Sequence, residues 1–137
     1  MKKNQKNLSF LVVDDEPILV QFIVDVLKGM GFDQIDTSNN GENAYSLCTA
    51  KMIQENPYDI IISDWRMPLM TGIELLEKIR KNGKLRNTAF VMITAVDDVT
   101  QIKQAAQSRV DQYILKPFKA EELEKKLMII IEKLLRR

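Results

Sequence analysis

The 137-residue chain contains no histidine. That removes every Ser-His or Cys-His nucleophile pair and every imidazole metal site. Cys48 is its single cysteine, so no internal disulfide can form, and a reducing cytoplasm is the expected setting. Long apolar runs are missing as well. The first one, Phe10-Leu11-Val12-Val13, is halted by Asp14 and Asp15. It does not read as a secretory leader, and no stretch approaches the ~20 residues of a membrane span. An excess of charge of either sign is also absent, with 20 Lys and Arg against 19 Asp and Glu. The resulting net charge of +1 gives no general attraction to nucleic acid or to a membrane. The basic residues from Lys2 to Lys6 and the closing Arg136-Arg137 read as solvated tails. There is no internal repeat, linker or low-complexity segment, and the length suits one domain, expected to be a monomer.

What is present is an alternation of strand and helix patterns. After a polar tail over residues 1–7, a strand is predicted from Leu8 to Val13. Pro17 then opens a helix with apolar residues at Ile18, Phe22, Ile23, Val26, Leu27 and Met30, which Gly31 stops. A short strand follows from Gln34 to Ser38, the turn signal Asn39-Asn40-Gly41, and a helix from Glu42 to Gln54. A third strand is expected over Asp59–Ser63, a helix over Gly72–Arg80, and a strand from Ala89. The remaining elements are a helix from Asp97 to Gln107, a strand over Gln112–Leu115 and a last helix from Ala120 to about Leu135. These β-α units predict a parallel sheet covered on both faces, with right-handed crossovers.

Ligands of such sheets bind beyond the carboxyl ends of the strands, and this chain sets polar residues there repeatedly. Asp14 and Asp15 follow the first strand, Asp64 the third, Thr94 the fourth and Lys116 the fifth. Taken singly, Asp15 reads as a helix cap, Asp64 as a turn residue, Thr94 as a cap and Lys116 as a surface ammonium. Taken together they suit one chemistry. Without imidazole, a metal would need mostly oxygen ligands, which points to a hard ion, magnesium above all. Asp14, Asp15 and Asp64 can hold such an ion, and an aspartate beside it can act as a nucleophile toward phosphorus. Lys116 and Thr94 then supply an ammonium and a hydroxyl for the phosphoryl oxygens.

Asp14-Asp15, Ser63-Asp64-Trp65-Arg66-Met67-Pro68-Leu69-Met70-Thr71-Gly72, Ile93-Thr94-Ala95 and Tyr113-Ile114-Leu115-Lys116-Pro117-Phe118 together resemble a bacterial response-regulator receiver domain. The resemblance is greatest to the single-domain chemotaxis type and runs from about Leu8 to the C-terminus, implying a receiver domain over residues 8–137. It implies a flavodoxin-like (βα)5 fold with strand order 2-1-3-4-5. Asp64 would take a phosphoryl group from the phosphohistidine of a sensor histidine kinase or phosphotransfer protein. Mg²⁺ would be held by Asp14, Asp15, Asp64 and the backbone carbonyl of Arg66. Thr94 and Tyr113 would form the switch pair, Lys116 would pair with the phosphoryl oxygen, and the peptide before Pro117 would be cis. The chain would catalyse only its own phosphoryl transfer and dephosphorylation. It holds no DNA-binding module, so its message would pass by contact with a target protein, such as a motility switch or a relay protein.

Several residues depart from the chemotaxis pattern. Arg66 and Val96 flank the phosphoryl position where that type has asparagine and glutamate, which implies an altered phosphoryl lifetime. Ser108-Arg109 stands where Ala-Gly is common, so Arg109 is expected to use another geometry or bear some strain, and that loop to differ. About five additional residues predict an extra turn or a longer loop around Ala50 to Asn56. In the last helix, Met128-Ile129-Ile130-Ile131 is read first as a wide core face and otherwise as part of an output surface. Ile102, Lys103, Ala106, Tyr113 and Lys119 are the candidates on that surface. Trp65 should report optically on the pocket if it lies at the rim. Two rivals remain: a scaffold that binds without phosphorylation, and a magnesium phosphohydrolase of the haloacid-dehalogenase type. Asp14-Asp15-Glu16 does not match the latter's Asp-x-Asp string.

Overall fold

A computed structural model describes residues 7–95, 100, 103 and 109–136. Five strands, β1 (Ser9–Val13), β2 (Gln34–Ser38), β3 (Ile60–Asp64), β4 (Ala89–Ala95) and β5 (Gln112–Lys116), pair in parallel in the order β2-β1-β3-β4-β5. Among the described residues the helices with complete bounds are α1 (Pro17–Gly29), α2 (Gly41–Ile53), α3 (Gly72–Lys81) and α4 (Ala120–Leu135). This is the flavodoxin-like arrangement expected from the sequence. Of the helix expected from Asp97 to Gln107 only Thr100 and Lys103 are described, both helical; Val96, Ile102 and Ala106 lie outside the described residues.

Strand side chains alternate between faces, and the alternation splits the core in two. Phe10, Val12, Ile60, Ile62, Val91 and Ile93 pack with α1 and α4 residues such as Ile23, Leu27, Leu127 and Ile131. Leu11, Val13, Ile61, Phe90 and Met92 pack on the other side with Ala44, Cys48, Leu75 and Ile79 of α2 and α3. Each such buried aliphatic side chain contributes roughly 2 kcal/mol. The central strands read as unbroken apolar runs because both of their faces are covered.

Local signals set the helices close to the strand ends. Pro17 occupies the first turn of α1, where its missing N–H is harmless. The Asn40 Oδ1 accepts from Asn43 N at 2.7 Å and caps α2. Thr71 and Glu74 form a reciprocal capping box that starts α3 after the Asp64 loop. Two glycines are required by close approach. A Cβ on Gly72 would lie 2.4 Å from the Asp64 carbonyl oxygen, and one on Gly41 would lie 2.6 Å from that of Met70.

Some local expectations shift. Asp64 and Lys116 are the last residues of their strands rather than the first beyond them, and β4 runs past Thr94 to Ala95. Asp15 does not cap α1: Glu16 holds the cap position without a capping side-chain bond, and Asp14 Oδ1 accepts the Glu16 N–H at 2.8 Å. The residues beyond Ala50 extend α2 to Ile53 and then turn through Glu55 at φ 60°. Left-handed backbone at described non-glycine residues is found at Glu55 and Leu69; the expectation for the Ser108-Arg109 loop turns on Ser108, which lies outside the described residues. In α4, Ile130 and Ile131 are buried and Met128 packs against the core, while Ile129 is 47% exposed. The wide core face therefore accounts for most of that apolar run.

Candidate functional site

The parallel sheet brings the carboxyl ends of β1 and β3 side by side. Asp14 follows β1, with its N–H bonded to the Ser38 carbonyl at 3.0 Å, and Asp64 ends β3. The two-residue alternation gives Asp14, Asp64 and Lys116 the parity of the α1/α4 face. Thr94 and Tyr113 have the parity of the other face.

Lys116 reaches back over the sheet end. Its Nζ donates to Asp64 Oδ2 at 3.1 Å and to Glu16 Oε1 at 3.5 Å, and lies 3.9 Å from Asp14 Oδ2. The Lys116–Pro117 peptide that follows is cis, as the resemblance implied. Asp14, Asp15, Glu16 and Asp64 each bring a carboxylate oxygen within 4.8 Å of the others. Asp14 and Asp64 are buried, whereas Asp15 and Glu16 are exposed. Asp14 Oδ2 is a buried oxygen without a hydrogen-bond partner among the described residues.

Burial dominates the electrostatics. It pushes the Asp14 carboxyl up to about 6, with help from the charge of Asp64 and against the Glu16 N–H and Lys116. Burial also raises the Asp64 carboxyl above its usual range, against the hydrogen bond and charge of Lys116. For Lys116 burial opposes the charge, but Asp64, then Asp14 and Glu16, outweigh it and hold the ammonium above its ordinary value. Four carboxylates therefore face one ammonium, a set that lacks positive charge. Clustered oxygen donors with an unpartnered buried oxygen suit a hard divalent cation.

Thr94 is buried on β4, and its hydroxyl donates to the Ala95 carbonyl at 3.2 Å. Tyr113 is half-buried against the α2/α3 core; burial raises its phenol, and its carbonyl accepts from Lys126 Nζ. Arg66 is exposed, its guanidinium carbon 4.8 Å from the centre of the half-buried Trp65 ring. Of the suggested output residues, Lys103 and Lys119 are exposed. A cavity of about 560 Å³ is lined by Asp14 and Asp15 together with Thr37, Asn40 and Asn43. Lys116 and Glu16 also line a mainly apolar groove with Ile18, Phe22, Pro117 and Phe118. Glu16 is the site residue that the sequence reading passed over. The signal was there, a third acidic residue in the run Asp14-Asp15-Glu16, but its place before Pro17 made it look like helix entry alone.

Fold and site together define a doubly wound α/β domain with an acidic pocket at its strand ends. The sequence profile of the response regulator receiver domain matches residues 10–128, and the chain belongs to that family. It is 36% identical over 129 residues to the chemotaxis protein CheY-3 of Vibrio cholerae serotype O1, covering 94% of this chain and 95% of that one. It is 33% identical to the chemotaxis protein CheY of Pseudomonas aeruginosa, covering 92% and 98%. Among solved structures, the chemotaxis response regulator CheY4 of V. cholerae superposes with a TM-score of 0.77 at 28% identity, covering 90% of this chain and 98% of that one. The receiver domain of a P. aeruginosa sensor histidine kinase, described with a magnesium ion coordinated in its active-site cleft, has a TM-score of 0.77 at 25% identity, with 91% and 98% covered. The relatives are signalling proteins rather than metabolic enzymes.

Proposed function

We propose that the protein is a phosphorylation-controlled switch in which Asp64 is the phosphoacceptor. The observation that carries this reading is the buried Asp14–Asp64 pair at neighbouring strand ends, with Lys116 3.1 Å from Asp64 and an Asp14 oxygen left without a partner. Asp14, Asp15, Asp64 and the backbone carbonyl of Arg66 would hold Mg²⁺. Bound there, the ion supplies positive charge against the carboxylates and the incoming phosphoryl oxygens. An Asp64 carboxylate oxygen attacks phosphorus as the bond to the donor's imidazole nitrogen breaks, and that nitrogen keeps the electron pair. Lys116 turns its ammonium to a phosphoryl oxygen. The Thr94 hydroxyl exchanges its bond to the Ala95 carbonyl for one to the phosphoryl group, and the Tyr113 ring follows it inward. The signal is then a shift in population, because the modified site favours one arrangement of these residues.

The donor is a sensor histidine kinase or a phosphotransfer protein. The apolar side chains of Ile18, Phe22 and Phe118 beside Lys116 offer such a protein a docking face next to Asp64. Output passes by protein contact, and the two chemotaxis relatives support a motility target over a relay partner. No helix among the described residues is long and apolar enough to cross a membrane; the cytoplasmic setting is proposed from the likeness to chemotaxis proteins of the CheY type. Intact-mass analysis after incubation with acetyl phosphate tests the chemistry. One phosphoryl gain that needs Mg²⁺ and disappears in Asp64→Asn is expected. No gain, where another receiver is labelled in parallel, would favour the scaffold reading.

A further inference from the structure

Glu16 stands at the N-cap of α1, yet its side chain makes no capping bond. Serine, threonine, aspartate and asparagine are the residues that serve that position well, since their short side chains reach the helix N–H groups. Glutamate is longer, and here its Oε1 accepts instead from Lys116 Nζ, 100 residues further along the chain. The same ammonium is bonded to Asp64 Oδ2 at 3.1 Å and lies 3.9 Å from the unpartnered Asp14 Oδ2. Glu16 thus draws on a charge that the buried carboxylates would otherwise hold alone. A divalent cation in the pocket must compete with that ammonium for Asp14 and Asp64.

We propose that Glu16 is a positioning residue acting through Lys116: it draws the ammonium toward the rim and leaves the buried carboxylates open to the cation. This rests on the magnesium-dependent reading of the site. Neutralising Glu16 gives the ammonium wholly to Asp64 and Asp14, so cation binding weakens. A side chain one methylene shorter keeps the charge but loses reach, so Glu16→Asp falls between native and Glu16→Gln. The exposed position of Glu16 lets these substitutions be made without disturbing the core.

The test is calorimetric titration with MgCl2 at low ionic strength, with thermal unfolding as a check on folding. Glu16→Gln is expected to weaken binding about tenfold, the scale of one charge a few ångströms away at an effective dielectric between water and protein. In a Lys116→Met background, the same substitution is expected to weaken it by about threefold or less, because the competing ammonium is gone. Native-like affinity in Glu16→Gln would overturn the proposal, and so would a loss in the Lys116→Met background above that limit. Asp14→Asn separates the two readings. If it abolishes binding while Glu16→Gln does not alter it, the switch stands and the role of Glu16 falls. If the native protein itself takes up no Mg²⁺, both fall.

Discussion

The two ends of the sheet use the same residue type in opposite ways. At the amino ends of the strands, Asp59 and Asp111 are consumed by the fold. Asp59 Oδ2 accepts from the Ser9 N–H at 2.8 Å and from the Ser9 hydroxyl at 3.2 Å. Asp111 Oδ2 accepts from the Phe90 N–H at 2.7 Å and from the Arg80 guanidinium at 3.2 Å. Arg80 also donates to the carbonyls of Arg86, Thr88 and Arg109, closing that end. At the carboxyl ends, Asp14 and Asp64 face other carboxylates and share one lysine. Satisfied polar groups stabilise; an unpartnered buried charge is unfavourable and persists where a ligand will complete it. One end holds the domain together, and in the proposed switch the other is left open for a cation and a phosphoryl group.

The sharpest way to break the comparison is to neutralise Asp14. Asp14→Asn is expected to slow labelling by acetyl phosphate about a hundredfold, the scale of losing one preorganised charge contact. The same change should stabilise the magnesium-free protein near neutral pH. The sign follows from linkage: with its folded value raised to about 6, Asp14 contributes stability at pH below its unfolded value, and that contribution is lost as pH rises through 6. Denaturant unfolding without metal should therefore weaken between about pH 4 and 7, by about 2 kcal/mol from this group. The slope should diminish in Asp14→Asn and at saturating Mg²⁺.

Arg80→Met attacks the opposite end. It leaves carbonyls and Asp111 with lost partners, and about 3 kcal/mol of stability should go with it. Magnesium affinity should stay native, which denaturation and titration on the same sample would check. A smaller effect is expected at Arg66, whose guanidinium rests over Trp65 beside the proposed phosphoacceptor Asp64. Arg66→Asn should admit water and speed loss of the phosphoryl group about threefold, or roughly 0.7 kcal/mol of barrier. Following decay of the phosphorylated mass with time measures this, and equal rates would contradict it.

Most of the fold was legible because the strands of a covered parallel sheet are short apolar runs with polar ends. Ile60-Ile61-Ile62-Ser63-Asp64 announces both its burial and its site residue. Proline and glycine punctuation marked the starts of α1 at Pro17 and α3 at Gly72, whereas the close approach of Gly72 to Asp64 was not visible in the sequence. Less visible were features that depend on three-dimensional reach. The Glu16–Lys116 bond joins residues 100 apart, and no local pattern encodes it. The Arg80 clamp is equally hidden, since Arg80 alone reads as a last-turn helix charge. The Thr71–Glu74 capping box was readable in principle, as threonine followed three residues later by glutamate, yet the functional string around it drew the reading away.

Asp64 is the proposed acceptor, and locating the modified residue is the decisive test. After treatment with acetyl phosphate and Mg²⁺, borohydride reduction converts an acyl phosphate to an alcohol, and peptide mass mapping then finds it. The prediction is homoserine at position 64 alone, absent when EDTA replaces the metal. Reduction at Asp14, Asp15 or any other carboxylate, or at none under conditions that label another receiver, would contradict it.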